Sequence, residues 1–160
     1  MADGTYLPNS TQIYCWDGSA FITNTLISGA WSPNGNITLN PGEGAWLYNP
    51  TSSTFVVTFV GTIQEGLNTN SLSYGLNFIS SPIPQAGGLT NNLSYIPTHG
   101  DVVYQWDATN QTYIESQYID PLGTPLHWSP SAPVMGVGQG FYLYPGSNAE
   151  SWVTAFWLDY

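Results

Sequence analysis

The sequence contains the same short stretch twice, and this internal repeat constrains the fold more than any other feature. A tight turn followed by an aromatic strand spans residues 39–48 and again residues 136–144. In the first copy, Pro41 and Gly42 suit the two central positions of a type II turn, because Pro presets φ and Gly permits positive φ. The second copy keeps Gly138 where positive φ is needed. The four glycines of the two Gly-x-Gly turns are Gly42, Gly44, Gly138 and Gly140.

The segment after each turn alternates in character, which is typical of a strand with two different faces. Small or aliphatic residues and Phe141 occupy one side of the two strands. The aromatic side chains on the other side are Trp46, Tyr48, Tyr142 and Tyr144. We therefore expect both strands to present aromatic rings on a common side.

The remaining sequence also matches in pairs. The matched segments are residues 13–17 with 103–107, 21–22 with 113–114, 31–33 with 128–130, and 54–59 with 151–156. Each is short, rich in β-branched or aromatic residues, and bounded by Gly, Pro, Asn or Ser, as strands are. At most, residues 90–93 could form one helical turn.

These matches predict an all-β fold, a sandwich or a partly closed barrel built from two copies of a pseudo-repeat. The first repeat spans residues 1–61, a connecting segment spans 62–74, and the second repeat spans 75–160. We expect the two repeats to pack as one compact domain.

The first repeat is incomplete, which bears on assembly. The second repeat begins with a strand in residues 75–82 that has no counterpart in the first, so the first sheet should be one strand short. Either residues 59–72 fill the gap or a neighbouring molecule does. Together with the apolar end at residues 155–160, this predicts self-association through edge strands.

The second repeat resembles a β-rich repeat of large secreted and surface bacterial proteins. The resemblance lies in Gly-Leu-Asn-Phe-Ile-Ser-Ser-Pro at 75–82, Val-Tyr-Gln-Trp-Asp at 103–107 and Gly-Gln-Gly-Phe-Tyr-Leu at 138–143. It implies an exported, extracellular or cell-surface module of a larger protein, without catalytic activity. The chain departs from the pattern in its missing first strand and in Val137, where the repeat has Pro.

The charge balance excludes some partners. The chain has no Lys or Arg and ten acidic residues, giving a formal charge of −10. Nucleic acid is excluded as a partner because phosphate binding needs basic residues, and no stretch is long enough to insert in a membrane. Without cations, we expect the carboxylates to repel one another and their average pKa to rise on folding.

Few residues could support catalysis. Cys15 stands alone, and His99 and His127 have no zinc-binding spacing, so we expect no metal or other cofactor beyond a weak calcium site at Asp101 and Asp107.

Asp17 and Asp107 recur after a Trp and should be Asx-turn residues. Glu43 corresponds to Gln139 and is interpreted as a turn residue. A hydrolase would need a carboxylate pair such as Asp101 and Asp107.

The aromatic residues are the strongest functional indication. The predicted ligand-binding set is Trp46, Tyr48, Tyr142, Tyr144, Trp31 and Trp128. Flat rings with polar edges stack on sugars and other uncharged polymers, although the same rings could cover a second core. The sequence favours a non-catalytic module for surface structure or self-assembly, with a glycan-stacking face. The alternatives are a dedicated carbohydrate-binding module and a small hydrolase.

Overall fold

The protein is all-β. The computed structural model describes residues 7–57, 61–120, 123, 125–146 and 148–158, and none of these lies in an α-helix. The strands are β1 (Gln12–Trp16), β2 (Phe21–Ile27), β3 (Ala30–Ser32), β4 (Ala45–Tyr48), β5 (Gly66–Leu72), β6 (Asn77–Ile79), β7 (Gly87–Gly88), β8 (Val102–Asp107), β9 (Thr112–Ile119), β10 (His127–Ser129), β11 (Val134–Met135), β12 (Phe141–Tyr144) and β13 (Glu150–Phe156). They pair antiparallel throughout, and no sheet of the described residues closes into a barrel.

The chain divides into two compact units. The first comprises Met1–Asn40 and Gly44–Thr62, and the second comprises Pro41–Glu43 and Ile63–Tyr160. Pro41–Glu43 belongs to the second unit because it contacts residues near β6. Gly42 O accepts a hydrogen bond from Ser80 N at 2.9 Å, and Glu43 forms an isolated antiparallel β-bridge with Ile79.

The first unit contains one four-stranded antiparallel sheet in the order β3-β2-β1-β4. Its inner face carries Ile13, Leu26 and Asn24, all at most 2% exposed. These residues alternate with outward side chains along β1 and β2, because successive residues of a strand point to opposite faces of the sheet.

The second unit is a sandwich. Its main sheet has five strands in the order β10-β9-β8-β12-β6, and β13 pairs with β5 in a second sheet. Val103, Phe141 and Leu143 from the main sheet pack in one core with Leu72 and Trp152 from the second. The indole of Trp152 is 1% exposed and donates a hydrogen bond to Leu93 O at 2.7 Å.

The two main sheets repeat the same topology. Strands β1, β2, β3 and β4 correspond in order and pairing to β8, β9, β10 and β12. The fifth strand, β6, has no counterpart in the described first unit, as the sequence predicts. Residues 66–72, expected either to connect the repeats or to complete the first sheet, instead pair with β13.

The turn before each first strand is also repeated. Leu26 N donates to Thr11 O at 2.8 Å, and Tyr118 N donates to Asp101 O at the same distance. The Ser-Pro bond after β3 and after β10 is cis in both units. The two units therefore share this hydrogen bond and this Ser-Pro conformation.

Some local predictions need correction. Residues 54–57 are not in a strand, and Thr58 and Phe59, the end of the predicted strand, lie outside the described residues. Residues 90–93 form a turn, with Asn92 N donating to Gly88 O at 2.9 Å, and no helix follows. The predicted turn glycines do have positive φ, at 90° for Gly42 and 67° for Gly138.

Candidate functional site

The outer face of the main sheet in the second unit is covered by aromatic side chains. Directly paired residues of antiparallel strands lie on the same face, so the pairings of Tyr142 with Tyr104 and with Phe78 place these three rings in one row. The same face carries the residues two positions along each strand. We call this set the second aromatic face: Phe78, Tyr104, Trp106, Tyr113, Tyr142 and Tyr144.

The rings of the second aromatic face contact one another. The Phe78 and Tyr142 rings stack with centroids 4.6 Å apart, and Tyr113 meets Tyr142 edge-on at 5.8 Å. The Trp106 and Tyr113 rings are 5.1 Å apart. Contacts at these separations hold the rings in defined orientations, so the face is organised before any ligand arrives.

The first unit carries the same arrangement. The pairing of Tyr14 with Trp46 repeats that of Tyr104 with Tyr142, and Trp16 meets Phe21 edge-on with centroids 5.0 Å apart. All five corresponding positions are aromatic in both units. We call this set the first aromatic face: Tyr14, Trp16, Phe21, Trp46 and Tyr48.

Neighbouring residues along each strand point alternately to the core and to the outer face. Phe141 and Leu143 are at most 1% exposed, whereas their neighbours Tyr142 and Tyr144 are only half-buried. Tyr48 is 52% exposed and Tyr113 42% exposed. Apart from Phe78, which is 5% exposed, the rings of the outer faces are therefore half-buried or exposed.

Two members of the predicted ligand-binding set lie on the opposite faces. Trp128 is 8% exposed in the core, where its ring packs against Tyr118 and its indole donates to Thr90 Oγ1 at 3.0 Å. Trp31 pairs with the buried Leu26 on the inner face of the first sheet. Trp128 therefore faces the core, and the half-buried Trp31 shares a sheet face with Leu26, so both lie on the side opposite the aromatic rings of β4 and β12.

A groove of about 390 Å³ opens on the second aromatic face. It is lined by Leu76, Tyr104, Tyr113 and Tyr142. Burial, reinforced by the neighbouring Tyr142 hydroxyl, raises the pKa of Tyr113 to about 12. Burial also raises the pKa of Tyr104, with a smaller contribution from the negative charge of Glu115, its directly paired neighbour on β9.

The aromatic faces are larger than the sequence-based set. The alternation after each Gly-x-Gly turn predicts only the rings of β4 and β12. The rings that it does not predict are Tyr14, Trp16, Phe21, Phe78, Tyr104, Trp106 and Tyr113. The signal was available in the alternation of residues 103–107, where Tyr104 and Trp106 have the same parity. Placing them beside Tyr142 requires the register between β8 and β12, which the sequence does not specify.

The proposed carboxylate pair is not formed. Asp101 immediately precedes β8 and Asp107 ends it, so the two lie roughly 20 Å apart along the strand. Asp107 Oδ1 accepts a hydrogen bond from Thr109 N at 2.8 Å, which is the predicted Asx-turn. The same separation rules out a calcium site that uses both residues.

Asp17 has the same role in the first unit. Its Oδ1 accepts hydrogen bonds from Ser19 N and Ala20 N, both at 2.8 Å. The Ala20 N–H contributes most to lowering the pKa of Asp17, and the Asn110 side chain contributes most to lowering that of Asp107. Lowered pKa values fit stable turn acceptors and not general acids, which need raised ones.

Asp101 lies in a buried hydrogen-bond network instead. Its carboxylate accepts hydrogen bonds from Tyr95 Oη and Thr98 N at 2.7 Å and from Gly146 N at 2.8 Å. Thr98 Oγ1 also donates to Glu150 Oε1 at 2.7 Å. Burial, and next the Asp101 carboxylate, raise the pKa of Tyr95. The network joins the loop before β8 to the loop before β13 and to β13 itself, and Asp101 is fully buried within it.

The remaining candidates are dispersed. His99 Nε2 lies 3.1 Å from Asp120 Oδ1 at an exposed position, and His127 Nδ1 contacts Pro125 O. Cys15 is an unoxidised, half-buried thiol on β1. Within the described part of the chain, no three His, Cys, Asp or Glu side chains come together as metal ligands would.

Comparison with protein-family models, curated proteins and solved structures finds no match to this chain. Among the described residues, no helix is both long and apolar enough to cross a membrane.

Proposed function

We propose that the protein is a non-catalytic extracellular or cell-surface module that binds neutral glycans on its two aromatic faces. The observation that carries the proposal is that five outward positions are aromatic in both units, at the same strand register. Packing accounts for apolar residues on the inner faces, but it does not require rings at every one of these outer positions.

The chemistry of the faces suits uncharged polyols. Tyr and Trp rings offer flat apolar surface for the C–H faces of a sugar, and their polar edges hydrogen-bond with its hydroxyls. The chain has no Lys or Arg with which to hold an anionic polymer. Two similar faces on one chain would also give avidity for a repeating ligand.

The carboxylates favour binding without catalysis. Asp17 and Asp107 accept hydrogen bonds within their turns, and Asp101 is buried. Self-association through edge strands stays a further prediction of the incomplete first repeat. It is compatible with a surface module and is tested separately, by measuring mass in solution.

The experiment is a binding assay with soluble β-glucans and cellohexaose, comparing the wild type with a Trp46→Ala/Tyr142→Ala variant. We expect the variant to bind at least about tenfold more weakly, a loss of about 1.4 kcal/mol, because both faces lose a central ring. Trp157→Ala is the matched control, since Trp157 is 69% exposed and follows β13 in a different sheet. Circular dichroism establishes that each variant is folded.

Absence of glycan binding by the wild type would refute this function. Equal weakening by the Trp157→Ala control would do the same, because binding would then not depend on the aromatic faces.

A further inference from the structure

The two aromatic faces differ in one charged residue. Tyr104 on β8 is directly paired with Glu115 on β9, whereas the corresponding Tyr14 is paired with Thr23. Glu115 is exposed, lies on the same face as the tyrosines and is close enough to raise the pKa of Tyr104. At this position the second aromatic face combines a ring with a carboxylate, and the first combines a ring with a hydroxyl.

The faces also differ in shape. The groove of about 390 Å³ on the second face is bounded by Leu76, which immediately precedes β6. Strand β6 has no counterpart in the described first unit. Leu76 and the rings of Tyr104, Tyr113 and Tyr142 form a recess on the second face into which one ligand group can project.

We propose that this groove binds the ammonium group of an amino sugar, so that the second aromatic face prefers glucosamine-containing glycans to neutral ones. This inference rests on the proposed glycan binding and specifies its ligand. The negative faces of the tyrosine rings attract an organic cation, and Glu115, the directly paired neighbour of the groove residue Tyr104, supplies the opposite charge.

Charge complementarity supports a cationic ligand over an anionic one. The chain carries a formal charge of −10 and no Lys or Arg, so no side-chain cation apart from a protonated His can compete for the rings or for Glu115. An anionic sugar would be repelled by Glu115 and by the whole molecule. A neutral sugar would still stack but would gain nothing from the carboxylate.

The test compares the affinities of three oligosaccharides of equal length for the full chain by calorimetry. The probes are the glucosamine hexasaccharide, the N-acetylglucosamine hexasaccharide and cellohexaose. We expect the glucosamine probe to bind most tightly. Glu115→Gln should weaken its binding about two- to fivefold and leave cellohexaose binding unchanged, as expected for an exposed cation–π and carboxylate site.

A matched control separates the groove from the overall charge. Glu43→Gln removes the same charge from an exposed position outside the aromatic faces, where the second repeat itself has Gln139. Equal weakening by Glu43→Gln and Glu115→Gln would overturn the inference, since it would indicate non-specific attraction to an acidic protein. Tyr113→Leu provides a second variant within the groove and should also reduce the preference for glucosamine.

The outcomes distinguish this inference from the proposed function. If cellohexaose binds and the glucosamine probe binds no better, the inference fails and glycan binding stands. If none of the three probes binds, the proposed function fails and the inference fails with it.

Discussion

At the scale of single residues, Asp101 has a structural role that its position before a strand does not reveal. It is fully buried and accepts hydrogen bonds from Tyr95, Thr98 and Gly146. A carboxylate surrounded by donors is well satisfied, and an amide in its place would direct N–H groups at some of those donors.

We therefore expect Asp101→Asn to lower the free energy of unfolding by about 1–3 kcal/mol, measured by urea denaturation. The exposed turn residue Asp120 serves as the control, because Asp120→Asn removes the same charge at the surface. A stability loss for Asp101→Asn no larger than that for Asp120→Asn would contradict this role.

The two turn glycines offer a second comparison at this scale. Both have positive φ, so alanine at either position is strained by about 1 kcal/mol. At Gly42 a Cβ would also lie 1.7 Å from Asn70 Oδ1, whereas nothing lies within 4 Å at Gly138. The Asn70 amide donates to Ser80 O at 3.1 Å and would have to move.

Gly42→Ala should therefore destabilise the protein by about 1–3 kcal/mol more than Gly138→Ala, because a buried hydrogen bond is lost as well. Thermal unfolding of both variants measures the difference. Equal losses would show that strain alone matters at these turns.

At the scale of elements, the aromatic strands of the second unit bring tyrosines close together. The pKa of Tyr113 is raised from its ordinary value of 10.0 to about 12, chiefly by burial. A folded pKa above the unfolded one gives stability that is complete below pH 10 and is lost as the pH rises towards 12.

The melting temperature should thus fall between pH 10 and pH 12, and the fall should be shallower in Tyr113→Phe, which has no hydroxyl to ionise at this position. Thermal denaturation across this range, with tyrosinate absorbance followed in parallel, provides the measurement. Identical pH profiles for the wild type and the variant would show that folding does not raise the pKa of Tyr113.

Some strands could be predicted from the sequence and others could not. Strands with regular alternation, such as β12, could be predicted together with their buried and exposed sides. Strand β5 could not, because its pattern is inverted: Leu67 is 72% exposed, and Asn68 and Asn70 point inward. Those amides are tolerated because they donate to backbone carbonyls of Gln64, Gly66 and Ser80.

The residues of the candidate site were also predictable only in part. The rings of Tyr142 and Tyr144 were predictable from local alternation. The contact of Tyr113 with Tyr142 requires the pairing of β8 with β12, which are far apart in sequence, and local pattern carries no information about such register. The burial of Trp128 likewise depends on a core to which the distant Leu72 and Trp152 contribute.

At the scale of the whole molecule, the response to acid depends on the balance between carboxylate repulsion, which no Lys or Arg relieves, and hydrogen bonds to individual carboxylates. Repulsion among carboxylates was expected to raise their average pKa, but the pKa values of Asp17 and Asp107 are lowered by hydrogen bonds within their turns. Local hydrogen bonds, chiefly from the Ala20 N–H at Asp17 and from the Asn110 side chain at Asp107, therefore outweigh long-range repulsion at these two positions.

A lowered folded pKa gives stability that is present above the unfolded value of 3.8 and is lost as the pH falls through the folded pKa. We expect the melting temperature to fall on acidification below about pH 4. An Asp17→Asn/Asp107→Asn variant should be less stable at pH 7 and less sensitive to acid. A wild-type protein that gains stability steadily down to pH 3 would instead indicate that repulsion dominates.

The central claim is that both aromatic faces bind a glycan, and the stoichiometry of binding tests it most directly. Calorimetric titration with a short neutral oligosaccharide should give two sites per chain in the wild type. It should give one site in Trp46→Ala or in Tyr142→Ala, each of which removes the central ring of one face. Unchanged stoichiometry and affinity in both variants would contradict the claim.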